Sequence, residues 1–258
     1  MLIYTIVYAY TIVYAPLVLS YLITLLSFVI GDAISVEIFI KSTDGPISKY
    51  INRRVSTRIT KLILKSNLPI TPNQVSVASF ILSVLSAISF TIGLPAIGGV
   101  VAEISSIVDG VDGELARAKK MESKFGSFLD SMLDRLADIL IVASASISSS
   151  ECLPEPFDNV VPTLAISGAL LVSYLHIRSQ FDLGIHPMAL RPSLSIASRD
   201  VRIFLLMIGG VLEQVVRGAL AYSVVLLACV CYLYVITKLL QVASLARYKA
   251  ANYTRSTS

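Results

Sequence analysis

Four aspartates, Asp109, Asp112, Asp130 and Asp134, interrupt an otherwise apolar region of the chain in the segment DGVDGELARAKKMESKFGSFLDSMLD. A carboxylate facing lipid is among the costliest groups a membrane segment can carry, so these residues restrict the fold more than any others. The surrounding sequence makes lipid the relevant solvent. Hydrophobic residues form 55% of the 258 residues, and the mean hydropathy is +0.77, well above an ordinary soluble domain. Seven stretches approach the ~20 apolar residues that cross a bilayer as a helix. They are Ile12–Ile30, Val75–Leu94, Pro95–Leu115, Phe128–Ile147, Val160–Leu175, Ile203–Leu220 and Tyr222–Leu245.

Basic residues give these stretches an orientation. No Lys or Arg precedes Lys41, and clusters then follow at 41–65, 117–124, 178–202 and 238–255. The alternate connections, Leu94–Gly99 and Ser148–Val160, carry none, and the second is acidic. This is the positive-inside pattern. It predicts an all-α, polytopic membrane protein with a six-transmembrane-helix core whose basic ends face the cytoplasm. The formal charge of +4 then describes orientation and an anionic ligand or lipid face, and no aromatic-plus-basic nucleic-acid motif is present.

Residues 1–40 read as an additional hydrophobic anchor helix, with YTIVYA at 4–9 repeated at 10–15 and no basic region of the kind that opens a signal peptide. Next, in ISKYINRRVSTRITKLILK, Ile47, Ile51, Val55, Ile59, Leu62 and Ile63 recur at three- and four-residue steps, with Lys49, Arg53, Arg54, Arg58, Lys61 and Lys65 opposite. That is the pattern of an amphipathic helix lying on the membrane with its apolar face down. In LPITPN the helix breaks, Thr71 can cap the next one, and Pro72 suits its first turn. The main domain is taken as 41–250, with a polar tail at 251–258.

Helical spacing turns the acidic segment into a site. Asp109, Asp112, Gly113, Ala116 and Arg117 share one helix face, and Gly126, Asp130 and Asp134 stack on another. An antiparallel hairpin of these two helices gathers four carboxylates, which cannot sit close together unless protonated or neutralised by cations. Hard divalent ions, Mg²⁺ first, suit oxygen ligands. Gly113, Ala116 and Gly126 leave room for a ligand, and the Arg117 fork can meet its phosphate. An interhelical salt-bridge network or an ion pathway is the competing reading of the aspartates. An ion-coupled transporter and a purely structural membrane protein are therefore the alternatives of a different class. Two carboxylate-held metals point instead to phosphoryl chemistry. Cys152, Cys229 and Cys231 lack metal-ligand spacing, and the isolated His176 and His186 read as interfacial and loop residues.

The eight positions Asp109, Asp112-Gly113, Ala116-Arg117, Gly126, Asp130 and Asp134 match D-x2-D-G-x2-A-R-x8-G-x3-D-x3-D without departure. By this motif the chain resembles the CDP-alcohol phosphotransferase family over about residues 41–250. The resemblance implies a surface helix followed by six membrane helices, a homodimer, and transfer of a substituted phosphate from a CDP-alcohol to an acceptor alcohol with release of CMP. It implies two Mg²⁺ (or Mn²⁺) ions held by Asp109, Asp112, Asp130 and Asp134, with Asp134 also the general base. Asp112, Gly113, Ala116, Arg117 and Gly126 would receive the CDP moiety, and Asn73 would either help position it or cap a helix.

Arg178, Arg199, Lys238 and Arg202 are candidates for a pocket that holds a phosphate on the acceptor, with ordinary interfacial charge as the competing reading. TDGPISKYINRRVSTRITKLI, TPNQVSVASF and SRDVRIFLLMIGG further resemble the membrane domain of archaeal di-myo-inositol-phosphate-phosphate synthases. This implies CDP-inositol and inositol 1-phosphate as substrates, the former supplied by a separate protein. A phospholipid synthase using CDP-diacylglycerol or CDP-archaeol is the alternative within the class.

Overall fold

The computed structural model describes residues 45–66, 68–184, 187 and 196–256, with side chains described as far as 244. The expected N-terminal anchor, its hexapeptide repeat and His186 lie outside these residues. The described residues form helices, with no strand among them. A π-helical turn, Ser48–Asn52, leads into α1 (Arg53–Lys65). Then follow α2 (Pro72–Thr91), α3 (Pro95–Lys119), α4 (Lys124–Ser149), a 3₁₀ turn at Ser150–Cys152, α5 (Phe157–Leu183), α6 (Arg199–Leu212) and α7 (Ala219–Ser256).

Local chemistry sets the boundaries. α2 begins in a capping box: Gln74 N donates to Thr71 Oγ1 while Thr71 N donates to Gln74 Oε1, and Pro72 occupies the first turn. The capping role therefore belongs to Thr71 and Gln74, not to Asn73. α3 ends where Lys120 adopts a left-handed conformation, and α4 starts beneath Ser123, whose hydroxyl accepts from Gly126 N.

Among the described residues, three helices are long and apolar enough to cross a membrane: α2, α5 and the Ala219–Ser244 portion of α7. Their outward side chains, among them Ile81, Tyr174, Leu233 and Leu240, are apolar and exposed, as lipid requires. The expected Ile203–Leu220 span is not one helix. α6 stops at Leu212, and Glu213 accepts hydrogen bonds from Gly218 N and Leu220 N, each at 2.8 Å, to turn the chain into α7. At 1.5 Å per residue α6 covers only ~21 Å.

The core mixes small residues with large apolar ones. Ala102, Ala145, Ala165, Ala169, Ala228 and Cys231 are buried together with Phe90, Leu206 and Leu227. Such interfaces let backbones approach where lipid supplies no hydrophobic drive for helix association. One such approach joins α3 to α6, where a Cβ at Gly99 would lie 2.7 Å from the Met207 Cα. The two acidic helices differ from the expected tight hairpin. α3 and α4 touch each other only sparsely; α2 packs against both, and α6 packs on α3.

Gly99→Ala should therefore destabilise the protein by ~1–3 kcal/mol, because backbone rather than a flexible side chain must move. Thermal unfolding in detergent measures this, with lipid-facing Val77→Ala expected to melt close to the parent.

Candidate active site

Three elements converge on the acidic segment: the inner ends of α3 and α4, and the start of α6. One carboxylate oxygen from each of Asp109, Asp112 and Asp130 lies within 4.8 Å of the other two. Asp112 is held by Ser76 Oγ at 2.5 Å and by the amide of Gly113. Asp134 stands one turn beyond Asp130 and is engaged differently. Arg199 Nη1 lies 2.9 Å from Asp109 Oδ2 and 3.1 Å from Asp134 Oδ1, while Arg199 Nε meets Asp138 Oδ1 at 3.1 Å. One guanidinium thus joins α3, α4 and α6. Burial alone would lower the Arg199 pKa, but Asp134, Asp109 and Asp138 outweigh it and hold the group well above its ordinary value. Arg199 is permanently charged.

Two cavities flank the carboxylates. The smaller, of about 180 Å³, is lined by Asn73, Asp112, Gly113, Ala116, Arg117 and Gly126, together with Ser76 and Asp130. All six residues expected to contact CDP meet there. Gly126 matters by what it lacks, since a Cβ would lie 2.9 Å from Ser123 Oγ and 3.1 Å from Asn73 Oδ1. Arg117 Nη2 is buried with no hydrogen-bond partner, so the cavity wall carries an unsatisfied cationic donor. The larger cavity, of about 350 Å³, is lined by Asp109, Asp134, Arg199 and Arg202, and also by Arg53 and His176. The carboxylates divide accordingly: Asp112 and Asp130 face one space, Asp109 and Asp134 the other.

Of the four basic residues expected at an acceptor phosphate, the structure brings together Arg199 and Arg202. Arg178 does not line the larger cavity; it pairs with Asp182 at 2.8 Å on the exposed side of α5. Lys238 is fully buried, with its Nζ 5.6 Å from the centre of the Tyr234 ring, and is likewise absent from that lining. Proximity to a helix end says nothing about which way a side chain turns, which is why sequence spacing grouped all four.

The packing brings further residues into the site. Asp138, 4% exposed, receives Arg202 Nη2 at 2.5 Å as well as Arg199, so one carboxylate aligns both arginines. Arg202 also donates to the carbonyls of Ala169 and Ala197. His176 borders the larger cavity and is fixed by a 2.7 Å hydrogen bond to Tyr234 Oη. Asp138 had a legible signal, one turn after Asp134 on the same face; His176, isolated in sequence, had none.

The donor set fits a divalent cation. Three carboxylate oxygens converge, and Asp134 Oδ1 is buried and accepts no hydrogen bond, with Arg199 Nη1 3.1 Å away. Hard oxygen ligands of this kind favour Mg²⁺ or Mn²⁺ over softer metals.

With this geometry in hand, comparison with known proteins is decisive. The family model for CDP-alcohol phosphatidyltransferase matches residues 69–248. The chain belongs to that family. The bifunctional IPC transferase and DIPP synthase of Thermococcus kodakarensis is 41% identical over 51% of this chain and 29% of its own length. The archaetidylinositol phosphate synthase of Pyrococcus horikoshii is 30% identical over 65% of this chain and 82% of its own. The chain spans only 29–39% of the length of the bifunctional relatives it matches. Among solved structures, the phosphatidylinositol phosphate synthase of Mycobacterium tuberculosis with CDP-DAG bound superposes with a TM-score of 0.59 at 20% identity. It covers 73% of this chain and 94% of the mycobacterial one, which establishes the shared fold. Another structure of that protein holds manganese and citrate.

Asp138→Ala should cost ~3–5 kcal/mol by leaving buried Arg202 without its partner. The double variant Asp138→Leu, Arg202→Met should recover most of that loss in detergent melts.

Proposed function

We propose that the chain transfers a substituted phosphate from a CDP-alcohol to a phosphorylated small alcohol, most specifically from CDP-inositol to inositol 1-phosphate. The carrying observation is the pair of cavities that share a carboxylate wall, one lined by the nucleotide motif and the other by two aligned arginines. In this reading Asn73, Gly113, Ala116 and Gly126 accept the CDP moiety, and Arg117 donates to its phosphates. Arg199 and Arg202 hold the acceptor phosphate. Asp109, Asp112, Asp130 and Asp134 would hold two Mg²⁺ or Mn²⁺ ions, which when bound stabilise charge on the attacking and leaving oxygens.

Asp134 takes the proton of the acceptor hydroxyl as its oxygen attacks the β-phosphorus. The new bond is acceptor oxygen to phosphorus; the bond that breaks joins that phosphorus to the bridging oxygen, which departs on CMP. Arg199, touching Asp134 and Asp109 at once, orients Asp134 toward the larger cavity.

We place this site at the cytoplasmic side of a multi-pass membrane protein in which α2 to α7 form a six-helix core and the chain pairs as a homodimer. The alternation of basic and uncharged connections supports the orientation. A second reading, an archaeal-type phospholipid synthase with a CDP-lipid donor and inositol phosphate as acceptor, is favoured by one observation. The match covers most of the archaetidylinositol phosphate synthase, but only a minor part of the bifunctional relatives.

The test supplies CDP-inositol, CDP-archaeol and CDP-diacylglycerol separately with inositol 1-phosphate and Mg²⁺, and identifies products by mass. CMP release with a di-inositol product supports the first reading, and a product formed only from CDP-lipid supports the second. Asp134→Asn should lower the rate ~10²–10⁴-fold with either donor. Release of no CMP from any donor by folded, metal-supplied protein would end both readings.

A further inference from the structure

On α3, Glu103, Ser106, Gly110 and Glu114 recur at steps of three and four residues, and Ser106 and Gly110 also reach the wall of the larger cavity. Glu114 is 0% exposed. Its Oε1 accepts from Arg53 Nη1 at 3.2 Å, Ser56 Oγ at 2.7 Å and Thr57 Oγ1 at 3.4 Å, and its Oε2 accepts from Thr60 Oγ1 at 2.9 Å. Every donor comes from the surface helix. The same Arg53 nitrogen donates to the Gly110 carbonyl at 3.2 Å, in the backbone between Asp109 and Asp112. Gly110 makes this approach possible, because a Cβ there would lie 3.3 Å from that nitrogen and 3.4 Å from Ser56. One turn earlier Asn52 Nδ2 donates to Ser106 Oγ at 3.2 Å, and Ser48 N donates to Asp200 Oδ2 at 2.6 Å, beside Arg199.

We propose that Arg53 and Glu114 are a positioning pair through which the surface helix fixes the rotation of α3, and so the placement of Asp109 and Asp112 for divalent cation and nucleotide. A helix that must only be attached to its neighbour needs apolar contacts. A carboxylate sealed among four donors, with the cation of the pair also gripping the motif backbone, adds directional constraint on α3 itself. Asp109 and Asp112 leave the helix on the adjacent face, so a small axial rotation changes the separation of their oxygens from Asp130. The relation is that of outer groups to metal ligands, whose loss costs about 10–100-fold in affinity. The proposal rests on the reading of Asp109 and Asp112 as metal ligands.

The variants are chosen to separate placement from folding. Removing one partner alone leaves a buried charge, whereas Arg53→Met with Glu114→Leu removes both. Full-length protein in detergent is titrated with Mn²⁺ by electron paramagnetic resonance without substrate, and its melting is followed in parallel. The double variant should melt near the parent, bind Mn²⁺ about 10–100-fold more weakly and show a raised KM for the CDP-alcohol. Glu114→Gln, which keeps the shape and the hydroxyl contacts, should show a smaller shift of the same kind, and serves alone if the double variant unfolds. A folded variant with parental Mn²⁺ affinity and donor KM would overturn the proposal and leave the pair a simple attachment. Asp112→Asn tests the underlying reading: undiminished Mn²⁺ binding there would remove the metal assignment itself, and the proposal with it.

Discussion

Like charges brought together in a poorly hydrated site repel, and the site exists only because Arg199 enters among them. Asp109 comes from α3, Asp134 and Asp138 from α4, and the guanidinium from the first turn of α6 meets all three. At an effective dielectric of ~20 each contact near 3 Å is worth roughly 5 kcal/mol before desolvation is charged against it. That attraction explains why α3 and α4 need not pack on each other. Their acidic ends are joined through α6, while α2 fills the space between their remaining lengths. The splay leaves open volume on both sides of the carboxylates, which a close-packed hairpin would have closed.

The same logic recurs with Arg202 and Asp138, and again with Arg53 and Glu114. Each is a buried pair in which one partner also grips a carbonyl: Arg202 that of Ala169, Arg53 that of Gly110. Buried pairs are weak contributors to stability, because desolvation offsets most of the attraction, but they are strict about geometry. Where alanines and glycines line a helix contact, as at Ala165, Ala169 and Gly99, small shifts change the packing little. The charged pairs supply the register that small apolar residues cannot.

Much of this was legible in the sequence, and the boundary of legibility is physical. Fixed spacing on a helix determines which residues share a face, so the residues from Asp109 to Asp134 announced a site whose small-cavity lining is Asn73, Asp112, Gly113, Ala116, Arg117 and Gly126. Spacing does not say which neighbour a face will meet. The surface helix read as two-sided, apolar against basic, yet Asn52, Arg53, Ser56, Thr57 and Thr60 form its buried face. They step by one, four, five and eight residues, so the stripe was present in the sequence. Being polar, it does not register as a buried face when burial is read from apolarity alone. Arg178 and Lys238 erred in the other direction, sorted by depth along a helix when azimuth decided their surroundings. The break between α6 and α7 had a signal in Glu213 and Gly218, but mean hydropathy smooths over two residues in an apolar run.

On the proposed reading, the division of the carboxylates between two cavities bears on how one site would join two substrates, a CDP-alcohol and a phosphorylated alcohol. A nucleotide diphosphate and a phosphorylated acceptor are both anions, and bringing them together costs repulsion unless positive charge lies between them. Arg117 stands in the wall of the smaller cavity, and Arg199 and Arg202 in that of the larger. The aspartates lie along the seam. On the proposed reading, cations bound at the seam would screen one substrate from the other, while the arginines at either side keep each phosphate from sharing the same ions. A single shared pocket of the same total charge would bind either anion well and both together poorly. Separation across a common carboxylate wall allows simultaneous occupancy, which is what transfer without a covalent enzyme intermediate requires.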